Sequence, residues 1–222
     1  MRIIKAGEGE ILDIELEEDF LKKNRQFAKK NKSLLEQNNV RAIDVMGSIG
    51  SGKTSLIQLL TSILREKFRI AVIAGDLTTD IDAKRIEQEK VQVVQINTGK
   101  ECHLDANLVK KALLSLALER IDVIFIENVG NLICPADFPL GAHQRLVVIS
   151  VTEGPWMVVK HPYIFKDAHV VAINKVDLAE AMQVSPQKLI EDIAKINPRI
   201  KAFPVSCRQN KGIMQVIEAL SL

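Results

Sequence analysis

Residues 47–54 read Gly47-Ser48-Ile49-Gly50-Ser51-Gly52-Lys53-Thr54, a glycine, four residues and then Gly-Lys-Thr. That spacing makes a phosphate-binding loop when a strand precedes it and a helix follows. Small residues let successive backbone N–H groups turn inward and cradle an anion. The helix that opens at Lys53 adds the positive end of its dipole. Lys53 then reaches the β- and γ-phosphates, the Thr54 hydroxyl ligates Mg²⁺, and Ser55 completes the nucleotide-binding stretch. Such a loop also needs an acid for Mg²⁺ or its waters. Asp76, after the run Ile70–Ala74, and Glu127, after Asp122–Ile126, are the two candidates. A capping role is the alternative for Asp76. Glu127 follows five buried-type residues, which suits a solvated charge poorly. Lys53, Asp76 and Glu127 are therefore the candidate catalytic residues, with Asp76 assigned to orienting water or holding the Mg²⁺ shell.

Asn174-Lys175-Val176-Asp177 ends another apolar run, Val170–Ile173. Guanine presents N1–H and its exocyclic NH₂ as adjacent donors, and one carboxylate accepts both. Adenine offers no such pair and would leave Asp177 unpaired. Asn174 belongs near the base's O6 and N7 side, with the stem of Lys175 over the ring. Ser206-Cys207-Arg208 lies where a backbone N–H can meet O6. The expected ligand is therefore GTP or GDP.

Cys102-His103 and Cys134-Pro135 supply thiolates and an imidazole, ligands for Zn²⁺ or Ni²⁺. Both segments leave the nucleotide edge of the predicted sheet, so they could meet. Structural cysteines and a hydrogen-bonded histidine are the alternative. Three ligands leave a tetrahedral site one short, to be filled by water or a second chain. Cys207 is a poorer candidate, because its place in the base loop accounts for it.

These residues need a scaffold, and the chain alternates strand and helix. Strands are expected at Arg41–Met46, Ile70–Ala74, Val91–Ile96, Asp122–Ile126, Arg145–Val151, Val170–Ile173 and Ala202–Val205. Helices are expected at Lys53–Arg65, Asp82–Glu89, Leu104–Leu118, Pro186–Ile196 and Gly212–Leu220. Unalternating apolar runs interleaved with helices predict an α/β, doubly wound, mostly parallel sheet, which binds ligands at the carboxyl ends of its strands. Residues 1–38 form an N-terminal extension with one amphipathic helix over 18–37, and residues 39–222 the GTPase domain. Phe20, Phe27 and Leu34 recur every seventh residue beside Leu21, Ala28 and Leu35, a narrow apolar stripe. It either packs on the main domain or docks a partner, its narrowness arguing against deep burial.

At 222 residues the chain is one large domain with a small extension. Thirty basic residues against 28 acidic ones give no electrostatic case for nucleic acid. No apolar run spans a membrane, and the N-terminus lacks a signal-peptide pattern. Three cysteines fit a reducing, cytoplasmic setting better than a disulfide framework.

Thr98-Gly-Lys-Glu-Cys102-His103-Leu-Asp-Ala and Glu127-Asn-Val-Gly130-Asn-Leu-Ile-Cys134-Pro135 resemble signature segments of the HypB family, GTPases for nickel insertion into [NiFe]-hydrogenase. Gly75-Asp76-Leu-Thr-Thr79-Asp-Ile-Asp82-Ala-Lys-Arg85-Ile is similar to its first switch, and the likeness runs from about Val45 to Asp177. The resemblance implies a P-loop NTPase of the signal-recognition-particle and MinD class. It implies a homodimer on GTP or metal binding, with Cys102, His103 and Cys134 as metal ligands and hydrogenase-maturation proteins as partners. It also implies that Asp76 and Glu127 join Thr54 around Mg²⁺. The chain departs from the pattern in three places. Residues 1–40 hold no Cys or His, Pro155-Trp156-Met157 stand where the family usually carries acids, and Asn107 stands where some relatives have His.

Three other functions compete. A urease-accessory GTPase would read Cys-Pro-His and Glu-Ser-Gly-Gly-Asp at the corresponding places. A small-molecule P-loop kinase would lack the guanine motif. A non-catalytic metal-storage protein would release no phosphate.

Overall fold

The computed structural model describes residues 14–76, 80–99 and 101–222. The expected switch residues 77–79, Lys100 and the stretch 1–13 lie outside the described residues. Among the described residues seven strands form one sheet: β1 (Arg41–Met46), β2 (Ile70–Asp76), β3 (Gln92–Asn97), β4 (Val123–Glu127), β5 (Gln144–Ser150), β6 (Val170–Asn174) and β7 (Lys201–Pro204). Their order is β3-β2-β4-β1-β5-β6-β7, and every pairing is parallel. Parallel strands need crossovers, supplied here by the segments carrying α2 (Lys53–Leu64), α3 (Ile81–Glu87), α4 (Ala106–Leu114), α5 (Cys134–Asp137), α6 (Met157–Lys160), α7 (Tyr163–Lys166) and α8 (Pro186–Ile196), while α1 (Ile14–Gln37) precedes the sheet and α9 (Ile213–Ala219) follows it.

The strands are apolar on both faces because helices cover both. On one face Leu56, Ile57 and Leu60 of α2 and Val216 and Ile217 of α9 pack on Ile43, Val45, Val72 and Phe125. On the other, Leu35 of α1 and Val109 and Leu113 of α4 cover Ala42, Ile73 and Ile124. Phe165 of α7 and Leu189 and Ile193 of α8 cover Val147, Ile149 and Val171. All the loops after strand carboxyl ends therefore open on one edge.

The structure corrects several boundaries. β2 runs on through Asp76, so that residue ends the strand. The fourth helix starts at Ala106, not Leu104, because Asp105 caps it by accepting from Asn107 N and Leu108 N. Leu118 falls in a separate 3-10 turn. Cys134 opens a short helical turn, and α6 and α7 occupy a stretch where no element was expected.

The first helix starts at Ile14 and lies against the domain along a different line from the one expected. Its buried row is Asn24, Ala28, Asn31 and Leu35, while Phe20 is 50% exposed. Asn24 Oδ1 accepts from Ala106 N at 2.7 Å and its Nδ2 donates to Pro139 O at 3.0 Å. Asn31 Nδ2 donates to Ala106 O at 2.7 Å and Leu140 O at 2.9 Å. Two asparagines thus do the work of core residues by satisfying backbone groups that burial would strand. The narrow stripe underestimates burial because an apolar count skips them.

Candidate nucleotide and metal sites

The phosphate loop runs from the end of β1 into α2. Gly52 sits at φ +101, in the left-handed region, and an added Cβ would strike the Asn174 side-chain amide. The same close approach seats Asn174, whose Nδ2 donates to Ser51 O at 2.9 Å. The phosphate loop and the base motif are thereby locked together. Lys53 Nζ donates back to Gly47 O at 3.2 Å and Ser48 O at 3.1 Å. Burial pulls the Lys53 pKa down, and Glu127 is the main charge opposing that.

Thr54 Oγ1 donates to Glu127 Oε1 at 2.7 Å, within buried surroundings. Glu127 Oε2 is buried and has no hydrogen-bond partner among the described residues. Burial pushes the Glu127 carboxyl up to about 7, against the pull of Thr54 and Lys53. Ala74 of β2 stands opposite Glu127, so Asp76 lies two residues farther along the same edge. Its carbonyl accepts from Thr98 N at 2.8 Å. A hydroxyl and two carboxylates, one with an orphaned buried oxygen, are a hard-oxygen donor set that suits Mg²⁺.

At the base motif Lys175 takes φ +60 and turns the chain so that Asp177 faces the neighbouring loop. Ser206 Oγ donates to Asp177 Oδ1 at 2.5 Å. Asn174 Oδ1 accepts from Lys175 N at 2.8 Å and Cys207 N at 3.1 Å. The Cys207 amide is thus engaged by Asn174, and burial pushes the Cys207 thiol up to about 11. A cleft of about 500 Å³ joins Gly52 and Ser55 to Asn174, Asp177 and Cys207. Its size suits a nucleotide-sized ligand.

The second cluster lies where the segments after β3 and β4 converge. One ligand atom each from Cys102, His103 and Cys134 all lie within 4.8 Å of one another. The two sulfurs are 2.8 Å apart, and Cys102 Sγ is 3.8 Å from His103 Nδ1. Burial raises the Cys134 pKa, with Cys102 as the next cause, and burial lowers that of His103. The His103 ring stacks on Phe138 at 3.8 Å between centroids, which fixes its plane. Soft, neutral or thiolate donors in a half-buried group of three suit Zn²⁺ or Ni²⁺ rather than Mg²⁺. Cys207 belongs to the base cleft and takes no part in this cluster.

The loop from Glu127 to Cys134 connects the two sites. Asn128 Oδ1 accepts from Leu104 N at 3.1 Å, next to His103, and from Val129 N at 3.0 Å. Asn131 forms an antiparallel bridge with Gly47, and its Nδ2 reaches Cys102 O at 3.5 Å. A Cβ on Gly130 would come within 2.5 Å of Ile49 Cγ1. Phosphate loop and metal loop therefore touch backbone to backbone.

Sequence reasoning passed over Asn128 and Glu153. Glu153 Oε1 accepts from Ser150 N at 2.7 Å, and burial raises its pKa while Lys53 and Lys175 oppose the rise. The signal was present: Ser150-Val-Thr-Glu153 has capping-box spacing at a strand end. Asn128 carried no signal, because two of its partners, Leu104 N and the Asp44 carboxylate, are distant in sequence.

The family model described as CobW/HypB/UreG, nucleotide-binding domain, matches residues 41–204. The chain is 50% identical over 205 residues to the probable hydrogenase maturation factor HypB of Methanocaldococcus jannaschii, covering 92% of this chain and 93% of that one. It superposes on HypB from Helicobacter pylori in complex with nickel with a TM-score of 0.84 and 34% identity, covering 90% and 94% of the two chains. The signal recognition particle receptor FtsY of Elizabethkingia anophelis matches with a TM-score of 0.57 at 15% identity, covering 89% and 72%. That last likeness shows the fold alone, the P-loop architecture expected from the sequence. With a phosphate loop, a base motif and the matching signature segments on one parallel-sheet edge, this chain belongs to the CobW/HypB/UreG family of nucleotide-binding proteins, on its HypB branch of hydrogenase maturation factors.

Proposed function

We propose that the chain is a Mg²⁺-dependent GTP hydrolase that carries nickel, with metal capture coupled to GTP-dependent dimerisation, and that it assists nickel insertion into [NiFe]-hydrogenase. The observation that carries the reading is the seven-residue path from Glu127 to Cys134, held against both the phosphate loop and the Cys102-His103 segment. Residues 39–222 form the GTPase unit, and α1 of the 1–38 extension braces the metal-bearing segments. The nickel-bound relative supports nickel as cargo, and the Cys/His donors accept Zn²⁺ equally well. The protein works in the cytoplasm with a second copy of itself and with hydrogenase-maturation proteins.

Backbone amides of Gly47, Ser48, Gly50, Ser51 and Gly52 hold the phosphates, and Ser55 borders them. Lys53 leaves the Gly47 and Ser48 carbonyls for the phosphate oxygens as GTP enters. Asp177 selects guanine, supported by Ser206, while Asn174, Lys175 and Cys207 line the base. Thr54, Glu127 and Asp76 would hold Mg²⁺, which would supply charge neutralisation on the phosphates. Asp76 orients the attacking water, and Lys53 stabilises the charge that spreads onto the γ-phosphoryl oxygens. A carboxylate in place of a water-orienting glutamine keeps isolated turnover slow.

The γ-phosphate orders the loop after Glu127, and Cys134 rides on that loop. By linkage, nucleotide state and metal affinity then change each other by the same factor, typically about 5–150-fold. The test is to titrate Ni²⁺ and Zn²⁺ into the GDP form and the GTP-analogue form, with solution mass measured in each. Affinities that differ by at least about fivefold support the reading. Affinities within about twofold, or a GTP-analogue form that stays monomeric with metal, overturn it. Steady-state phosphate release separates it from a storage protein.

A further inference from the structure

A cleft of about 290 Å³ lies between α1 and the Pro139–Ala142 turn, with Asp44 and Arg145 at its floor. The register of β1 and β5 sets those two residues side by side. Arg25, Lys29 and Lys32, one row along α1, line its wall. Gly141 at φ +93 brings the turn close, since an added Cβ would lie 2.8 Å from Asn31 Cβ.

Asp44 is 1% exposed in the middle of a core strand. Its Oδ1 accepts from Asn128 Nδ2 at 3.2 Å. Its Oδ2 has no hydrogen-bond partner among the described residues. Arg145 Nε lies 3.8 Å from that oxygen, close enough for attraction but beyond a hydrogen bond. The Arg145 guanidinium is spent elsewhere, on Ala136 O at 3.2 Å and Asp167 Oδ2 at 3.5 Å. Burial holds the Asp44 carboxyl up at about 6 even with Arg145 beside it. A buried, half-satisfied carboxylate is costly unless something donates to it.

Arg145 is already shared between Asp44 and Asp167, so the three cations of α1, Arg25, Lys29 and Lys32, call for an anionic ligand, and the orphaned oxygen calls for a donor on that ligand. We propose that this cleft binds a small amino- or hydroxycarboxylate, its anionic groups facing Arg25, Lys29 and Lys32 and its ammonium or hydroxyl donating to Asp44 Oδ2. Nothing in the proposed GTPase or metal-carrying function requires this site. It sits behind the metal-bearing turn, because Arg145 holds Ala136 O, two residues past Cys134.

The test uses the full chain freed of metal and nucleotide, so its outcome is independent of the GTPase reading. Succinate, L-malate and L-aspartate share a four-carbon diacid skeleton and differ by a hydrogen, a hydroxyl or an ammonium. Each is titrated by calorimetry, with the Gly141 and Ala142 amide resonances as the local readout. Malate or aspartate should bind at least about tenfold more tightly than succinate. Asp44→Leu should erase that preference while leaving GTP affinity intact, and Lys29→Ala with Lys32→Ala should weaken all three. Should Asp44→Leu fail to fold, Asp44→Asn keeps an acceptor for Asn128 and turns an N–H toward the cleft, which should shift preference to succinate. Equal affinities for the three acids, binding that leaves Gly141 and Ala142 unmoved, or no binding below about 10 mM overturns the proposal.

Discussion

Glu127→Gln should make the nucleotide-free protein behave oppositely in stability and in function. Burial raises the Glu127 carboxyl from 4.5 to about 7 in the folded chain. The folded state therefore keeps its proton to about pH 7, whereas the unfolded chain releases it near 4.5. Over that window the folded state binds more protons, so stability falls as pH rises and levels off above the folded pKa. Between pH 5 and 8 the wild type should lose ~2–3 kcal/mol through this group alone, from the logarithm of the two binding polynomials. Glutamine has no such titration. Its Oε1 still accepts from Thr54, and any cost of its buried NH₂ is the same at every pH. Asp44 titrates in both proteins and cancels. The assay is urea unfolding of metal- and nucleotide-free wild type and variant at four pH values from 5 to 8. The stability difference should move toward the variant by ~2–3 kcal/mol, or ~5–10 °C in Tm for a chain of this size. Mg²⁺-dependent GTP affinity should meanwhile drop at least about tenfold, since a carboxylate aimed at the metal has gone. Parallel pH profiles for the two proteins would refute the reasoning, because they would mean that Glu127 is solvated or already ionised in the folded chain.

Asp177→Asn should cost about 2–4 kcal/mol of GTP affinity and leave ATP binding unchanged, read by competition with a fluorescent guanine nucleotide. Lys53→Ala should abolish nucleotide binding yet keep metal stoichiometry, since the metal cluster sits on other loops; a folded variant with no metal would show the sites to be inseparable. Asn31→Ala should destabilise the chain by about 1–3 kcal/mol by stranding Ala106 O and Leu140 O, and it should weaken metal binding because both carbonyls flank metal-bearing segments.

Much of the fold was legible because this sheet writes itself plainly. Val-Ile-Phe-Ile before Glu127 and Val-Val-Ala-Ile before Asn174 are apolar on every residue, as strands covered on both faces must be. The phosphate loop and Asn174–Asp177 were readable since their chemistry is carried by adjacent residues. The bond from Thr54 to Glu127 spans 73 residues, and only the parallel register of β1 and β4 makes it. What stayed illegible was polar and buried. Asn24, Asn31, Asp44 and Asn128 satisfy backbone or each other across long separations, and single-residue periodicity treats each of them as surface. The short helices α6 and α7 were missed because elements of four residues complete barely one hydrogen-bonded turn each.

The asparagine clamp of α1 also sets a timetable for synthesis. Asn31 closes on Leu140, 109 residues downstream. At about 5–20 residues per second, α1 emerges and then waits on the order of 5–20 s for its docking site to exist. During that interval the row ending in Leu35 has no partner, and the helix leaves its lysines and an uncovered flank in water. Cys102 and His103 leave the ribosome before Cys134, so the nascent chain carries half a metal site first. The clamp's Leu140 arrives six residues after Cys134, and the helix then spans the segments that carry Cys102-His103 and Cys134. The order of the sequence thus places the phosphate loop first, the Cys102-His103-Cys134 cluster second and the base motif Asn174–Asp177 last, so the candidate metal cluster is made before the nucleotide cleft is complete.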